Sequence, residues 1–181
     1  MAPLISTASG REIFSRPKKL AWVALIALML AATALRYFRL DAQDIWGDEA
    51  FSIFLSGQPL AQIIAGGADT HPPFYPVMLS IWLRLAGESA FATRALSALV
   101  GVLIVPLIFG VGKRIANARV AWFAAILATV SPLLIYYSQE TRMYELVTVL
   151  MLASCLTLIP LYPPSPSPEF SSGEGEGGRA K

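Results

Sequence analysis

Three polar clusters interrupt an otherwise apolar chain, and each holds side chains able to move a proton or hold an anion. The first is Trp46-Gly47-Asp48-Glu49. Adjacent carboxylates can act as a general base, a metal ligand, or both. The same pair also fits a helix start, with Asp48 as N-cap and Glu49 in a first turn favoured by the helix dipole. The second is His71-Pro72-Pro73, with Asp69 two residues earlier. The prolines stiffen the backbone and fix where the imidazole points. A metal- or phosphate-facing pocket would use that geometry, and a histidine simply solvated or packed in a loop would fit the same residues. The third is Ser138-Gln139-Glu140-Thr141-Arg142-Met143-Tyr144. A charge in a short turn between apolar runs is costly unless paired or used. Glu140 and Arg142 could form a helix-end ion pair beside an aromatic belt of Tyr136, Tyr137 and Tyr144. Alternatively, Arg142 could grip a phosphate bidentately.

The elements that must position these clusters are long apolar runs. Leu20 to Tyr37 follows a basic segment with Arg11, Arg16, Lys18 and Lys19. A signal peptide begins in the same way, but Arg36 and Arg39 stand where small cleavage-site residues would be needed, so an uncleaved span is expected. Further spans are expected at Arg94–Gly112, which contains Pro106, at Val120–Tyr137 and at Met143–Tyr162. Between the first two lies a long segment, 41–91, holding six of the twelve acids and the single histidine. Within it Glu49–Leu55 and Leu60–Ala65 read as short helices. Pro73–Ala86 rises only about 21 Å as a helix, short of the ~30 Å hydrocarbon core, and is expected to lie at the interface or re-enter.

Composition supports this class and removes others. Charged residues are 14% and hydrophobic residues 55% of the 181, where a soluble domain carries about a quarter charged. The expectation is an all-α polytopic membrane protein of about four spans, with interfacial helices in a long first outer loop. A formal net charge of +2 gives no basis for binding nucleic acid. Cys155 stands alone, so an intrachain disulfide and a cysteine-built metal site are excluded.

Basic loops stay cytoplasmic. With Pro73–Ala86 not crossing, residues 1–19 and the Lys113, Arg114, Arg119 loop share the cytoplasmic side. The acidic 41–91 segment and the Ser138–Arg142 turn then share the opposite face. The chain divides into a cytoplasmic segment 1–19, a transmembrane domain 20–162, and a tail 163–181. Proline, serine, glycine and glutamate dominate that tail, and it is expected to be disordered.

In order, W-x-D-E-A-x-S (Trp46 to Ser52), D-T-H-P-P-F-Y (Asp69 to Tyr75) and S-P-x-x-I-Y-Y-S-Q-E-x-R-M-Y (Ser131 to Tyr144) resemble the GT-C membrane glycosyltransferases. The similar group comprises protein O-mannosyltransferases and the bacterial aminoarabinose and lipopolysaccharide-core transferases, and the resemblance covers roughly residues 20–160. It implies transfer of a sugar from a polyprenyl-phosphate carrier within the membrane lipid to a glycan, lipid or protein acceptor, on the extracytoplasmic face of the cell membrane. It implies catalytic carboxylates at Asp48 and Glu49, Asp48 first. It implies substrate-binding roles for His71, Glu140 and Arg142, with Tyr144 closing the same motif. A divalent metal serves some relatives. Family members are several times longer with many more spans, so this chain is expected to be an N-terminal portion of one.

Two other functions compete. A non-catalytic scaffold or partner subunit would keep the front half of such a fold without turnover. A small transporter would place polar residues in mid-membrane; here they gather toward one face.

Overall fold

The computed structural model describes residues 18–65 and 71–161. The expectations for the amino-terminal segment, for Asp69 and for the 163–181 tail fall largely or wholly outside these residues. Every regular element among the described residues is a helix: α1 (Lys18–Tyr37), α2 (Gly47–Ser56), α3 (Leu60–Ala65), α4 (Phe74–Ala86), α5 (Ala90–Val102), α6 (Ile104–Ile115), α7 (Ala118–Val130), α8 (Pro132–Ser138) and α9 (Tyr144–Leu158). The all-α membrane class is therefore as expected, and the differences lie in how spans are divided.

Two apolar stretches are long enough to cross a bilayer, Lys19–Tyr37 and Ala90–Ile115. The second comprises α5 and α6, which part at Leu103. Pro106 explains the join, because it is the third residue of α6, where a missing N–H breaks no bond within that helix. The expected third span, Val120–Tyr137, is instead α7 and α8, bent by 53°. The cause is local. A residue before proline is pushed out of the helical region, and Ser131 is extended, at φ −61° and ψ 117°. Its hydroxyl then caps α8 through the N–H of Leu134, with Pro132 in the first turn. Counted as one span, the pair raises the number of candidate crossings to three. The fourth, α9, is 15 residues and gives way to a turn around Pro160, so on its own it falls short of the hydrocarbon thickness. At 13 residues α4 is shorter still.

Packing follows the helical period. Tyr75, Leu79 and Leu83 line the inner face of α4 and meet Leu96 of α5 and Leu146 of α9. Leu25 and Ala32 of α1 pack with Val105 and Ala125. α6 and α7 approach so closely that a Cβ on Gly112 would lie 2.9 Å from the Ala121 backbone, and only glycine fits there. Half of the α5–α6 stretch is buried, against 17% of α1. The α5–α6 stretch is therefore the axis, and α1 lies on the periphery with Trp22, Val23 and Leu30 exposed.

Two ionisable side chains, Arg36 and Glu145, are enclosed among the helices. Arg36 of α1 is fully buried and donates to the carbonyls of Ala32 and Ala128. Glu145, at the start of α9, is 1% exposed. Between them is Gly101, where a Cβ would stand 3.0 Å from Glu145 Oε2 and 3.2 Å from Arg36 Nε. Those two atoms have no hydrogen-bond partner among the described residues. The absent side chain of Gly101 leaves room for the two side chains to approach each other on one face of α5.

Candidate active site

The site is assembled at the end of the bundle where α1 and α8 finish and where α2, α5 and α9 begin. Its centre is Arg94, in the second turn of α5 and 3% exposed. Arg94 Nε donates to Glu49 Oε1 at 2.9 Å, and one terminal nitrogen donates to Glu49 Oε2 at 2.7 Å. The remaining bonds go to the carbonyls of Leu40, Gln43 and Asp44 at 3.0, 2.8 and 3.1 Å. All the donors a guanidinium possesses are thus used. The loop between α1 and α2 has its carbonyls turned inward around this cation.

Glu49 has no solvent exposure. It lies on the inner stripe of α2 with Ser52, Leu55 and Ser56, the i, i+3, i+6, i+7 set of one helical face. Its Oε1 also accepts the backbone N–H of Thr141 at 2.8 Å, joining the first polar loop to the second. Burial pushes its carboxyl up, but the bonds from Arg94 and Thr141 and the charge of Arg94 outweigh this and hold it below the usual carboxylate range.

Asp48 is one residue away and differs in exposure and in the closeness of its pairing. The N-cap of α2 is Trp46, without a side-chain cap bond, so Asp48 is inside the first turn and does not cap it. Its side chain is 53% exposed, and Oδ2 lies 3.7 Å from a terminal nitrogen of Arg142. Arg142 donates also to the Asp48 carbonyl at 3.2 Å and to Ser52 Oγ at 3.4 Å. It lies over the Tyr144 ring, 5.7 Å from its centroid. Its Nε is buried with no partner among the described residues.

Arg142 is placed by its backbone as well. Ser97 Oγ donates to the Arg142 carbonyl at 3.2 Å and lies 3.1 Å from the Tyr75 hydroxyl, linking α4, α5 and the second turn. Gln139 Nε2 donates to the carbonyls of Arg36 and Phe38, satisfying the C-terminal end of α1. A narrow groove of about 140 Å³ opens beside Arg142, with Ser52 and His71 at its lip and Leu146, Val147 and Leu150 along its wall. It is polar at one end and apolar along α9.

The sequence-derived candidates therefore fall into two groups. Asp48, Arg142 and Tyr144 meet directly, and His71 shares the groove with Arg142. Glu49 and Glu140 line a separate hollow of about 200 Å³ with Arg94, Trp46 and Tyr136. Among the described residues no three His, Cys, Asp or Glu side chains come together as metal ligands. What converges is two carboxylates, each with its own guanidinium. Sequence reasoning missed Arg94, although a charge opening an apolar run near six acids is itself a signal that it must be paired. It also took Arg36 only as a flank of the first span.

This is an all-helical membrane protein with an acid and arginine site where the loops at one end of its bundle meet. Residues 70–162 match the family model described as dolichyl-phosphate-mannose-protein mannosyltransferase. The match takes in slightly more than half of the chain, and the chain belongs to this family, within the GT-C class. No curated protein and no solved structure matches it individually. Family membership makes the protein mannosyltransferase-like and places it with the glycosyltransferases. The matched range contains His71, Arg94, Glu140, Arg142 and Tyr144. Asp48 and Glu49 precede it, and the contacts from Arg94, Thr141 and Arg142 tie them to it.

Proposed function

We propose that this chain carries the acid and anion-binding side of a membrane glycosyltransferase site, which moves a sugar from a polyprenyl-phosphate carrier to an acceptor on the extracytoplasmic face. The observation that carries this reading is the placement of the half-exposed Asp48 carboxylate against Arg142, which lines an amphipathic groove and whose Nε has no partner among the described residues. An acceptor hydroxyl is a poor nucleophile, and a carboxylate that takes its proton as the bond forms raises its reactivity. Asp48 is accessible for that role. The departing lipid phosphate gains charge, and an arginine pre-placed where that charge develops stabilises the transition state. Arg142 has a donor to spare, and the wall of Leu146, Val147 and Leu150 suits the isoprenoid chain next to the phosphate. Glu49 acts as a positioning residue, because its oxygens are already engaged by Arg94 and Thr141.

The test uses the protein in native membranes with polyprenyl-phosphate mannose as donor. Asp48→Asn is expected to lower transfer about 10²–10⁴-fold at equal abundance. Arg142→Gln is expected to weaken retention of polyprenyl phosphate, measured separately by native mass spectrometry. Unchanged transfer by Asp48→Asn would remove the base assignment, and unchanged retention by Arg142→Gln would remove the phosphate site. Sidedness is read with single cysteines at Gly57 and Ala116, both exposed, in a Cys155→Ala background. An impermeant thiol reagent applied from outside should label Gly57→Cys and not Ala116→Cys. Labelling of both would overturn the extracytoplasmic placement.

A further inference from the structure

The opposite end of the molecule holds a second feature, independent of the site above. The α5–α6 stretch leads from Arg94 to Lys113, and α7 starts a few residues later. Between α1 and the paired ends of α6 and α7 lies an open cleft of about 720 Å³, far larger than the groove beside Arg142. Alanines at positions 21, 24 and 27 of α1 form its floor, and their small side chains are what leave it open. Trp122 and Phe109 form the wall, their rings 4.7 Å apart. Lys113 and Arg119 stand at one end. Among the described residues no carboxylate lines it, and none occurs between Lys113 and Arg119 in the chain.

We propose that this cleft binds an anionic phospholipid, its phosphate between Lys113 and Arg119 and an acyl chain along the alanine floor. Charge selects this occupant. Two cations at the mouth of an apolar cleft complement a lipid with net negative charge, whereas a zwitterionic headgroup brings its own cation to the same place. The side chains supply the main contact, because two of the opening amides of α7 are already taken: Asn117 Oδ1 accepts the N–H groups of Arg119 and Val120. Trp122 is one turn further along α7 on the Arg119 side, the depth at which tryptophan meets the headgroup boundary. The cleft thus presents charge, an amphipathic ring and an apolar floor in the order in which a phospholipid presents their complements.

The full chain in neutral detergent is titrated with phosphatidylglycerol or phosphatidylcholine and bound lipid is counted by native mass spectrometry. Phosphatidylglycerol should be retained in preference. Replacing both cations (Lys113→Gln with Arg119→Gln) should weaken it about thirty-fold. The exposed Arg84→Gln on α4 should leave retention unchanged. The charge-preserving Lys113→Arg with Arg119→Lys should also retain the lipid, which separates loss of charge from loss of fold. Phosphatidylglycerol with brominated acyl chains should quench a fluorescence component that disappears in Trp122→Phe. Equal retention of both lipids, or an equal loss with Arg84→Gln, would overturn the proposal. So would a Trp122 protected from brominated lipid of either headgroup, since protein would then be covering the cleft.

Discussion

Asp48 and Glu49 are adjacent carboxylates, each facing an arginine, and the two pairs have opposite characters. Glu49–Arg94 is a dry, bidentate contact at 2.7 Å with side chains 0% and 4% exposed. Asp48–Arg142 is a single approach at 3.7 Å with Asp48 53% exposed. The first pair has every donor satisfied; the second leaves a buried nitrogen over. A satisfied pair fixes backbone and has nothing left with which to react. An unsatisfied pair can exchange its partner for a substrate. The rigid pair holds the two loops on which the loose pair is mounted, so each depends on the other for its use.

The largest expected effect comes from breaking the rigid pair. Arg94→Met leaves Glu49 and three carbonyls without their common donor, and removing one partner of a buried pair costs about 3–5 kcal/mol. Melting in detergent should fall accordingly, and transfer should be lost with it. Asp48→Asn should separate the pairs most sharply, losing transfer by the factor given above while its melting stays within about 0.5 kcal/mol of the parent. Gly101→Ala is expected to cost about 1–3 kcal/mol by overpacking, as a new methyl meets Glu145, Ser138 and Arg36. Acidification tests the pairs without mutation. The carboxyl of Glu49 is held below its unfolded value, so its contribution is complete at neutral pH. It is lost as pH falls through and below the ordinary carboxylate range. Glu49→Gln should flatten that acid dependence, measured as melting against pH. Smallest of all, a double-mutant cycle on Asp48 and Arg142 should return a coupling of about 0.2–1 kcal/mol. A coupling above that range would show that the loose pair also holds the fold.

Apolar runs announced the first helix and the α5–α6 axis, because a bilayer demands length and lack of charge, and both are countable in a sequence. The division between α7 and α8 was written in Ser131-Pro132, because a residue before proline is biased out of the helical region and the serine hydroxyl can cap the helix that follows. α9 ends two residues before Pro160, although Ile159 between them keeps helical angles. The difference between Asp48 and Glu49 was harder to see. Chemically the two are equivalent, and only the phase of α2 turns one inward with Ser52 and Ser56 and leaves the other out. That phase was weakly visible as small and apolar residues recurring at helical spacing from position 49. Arg94 as the partner required the fold, since 45 residues separate it from Glu49.

Those separations also govern the order of events during biogenesis. Glu49 meets Arg94 across 45 residues and Thr141 across 92, and Gln139 reaches back 103 residues to close the end of α1. A ribosome delivers these partners in sequence. The α1–α2 loop and its acids emerge first, and they stay hydrated until α5 brings the arginine that can draw them together. The second turn arrives only after α7 and α8 have been made, and with it come Arg142 and the amide that seals Glu49. A nascent chain therefore holds an open, water-facing loop until α5 has been made, and its acid–arginine centre is complete only once the turn between α8 and α9 has followed, so the accessibility of a single carboxylate distinguishes molecules before and after that point.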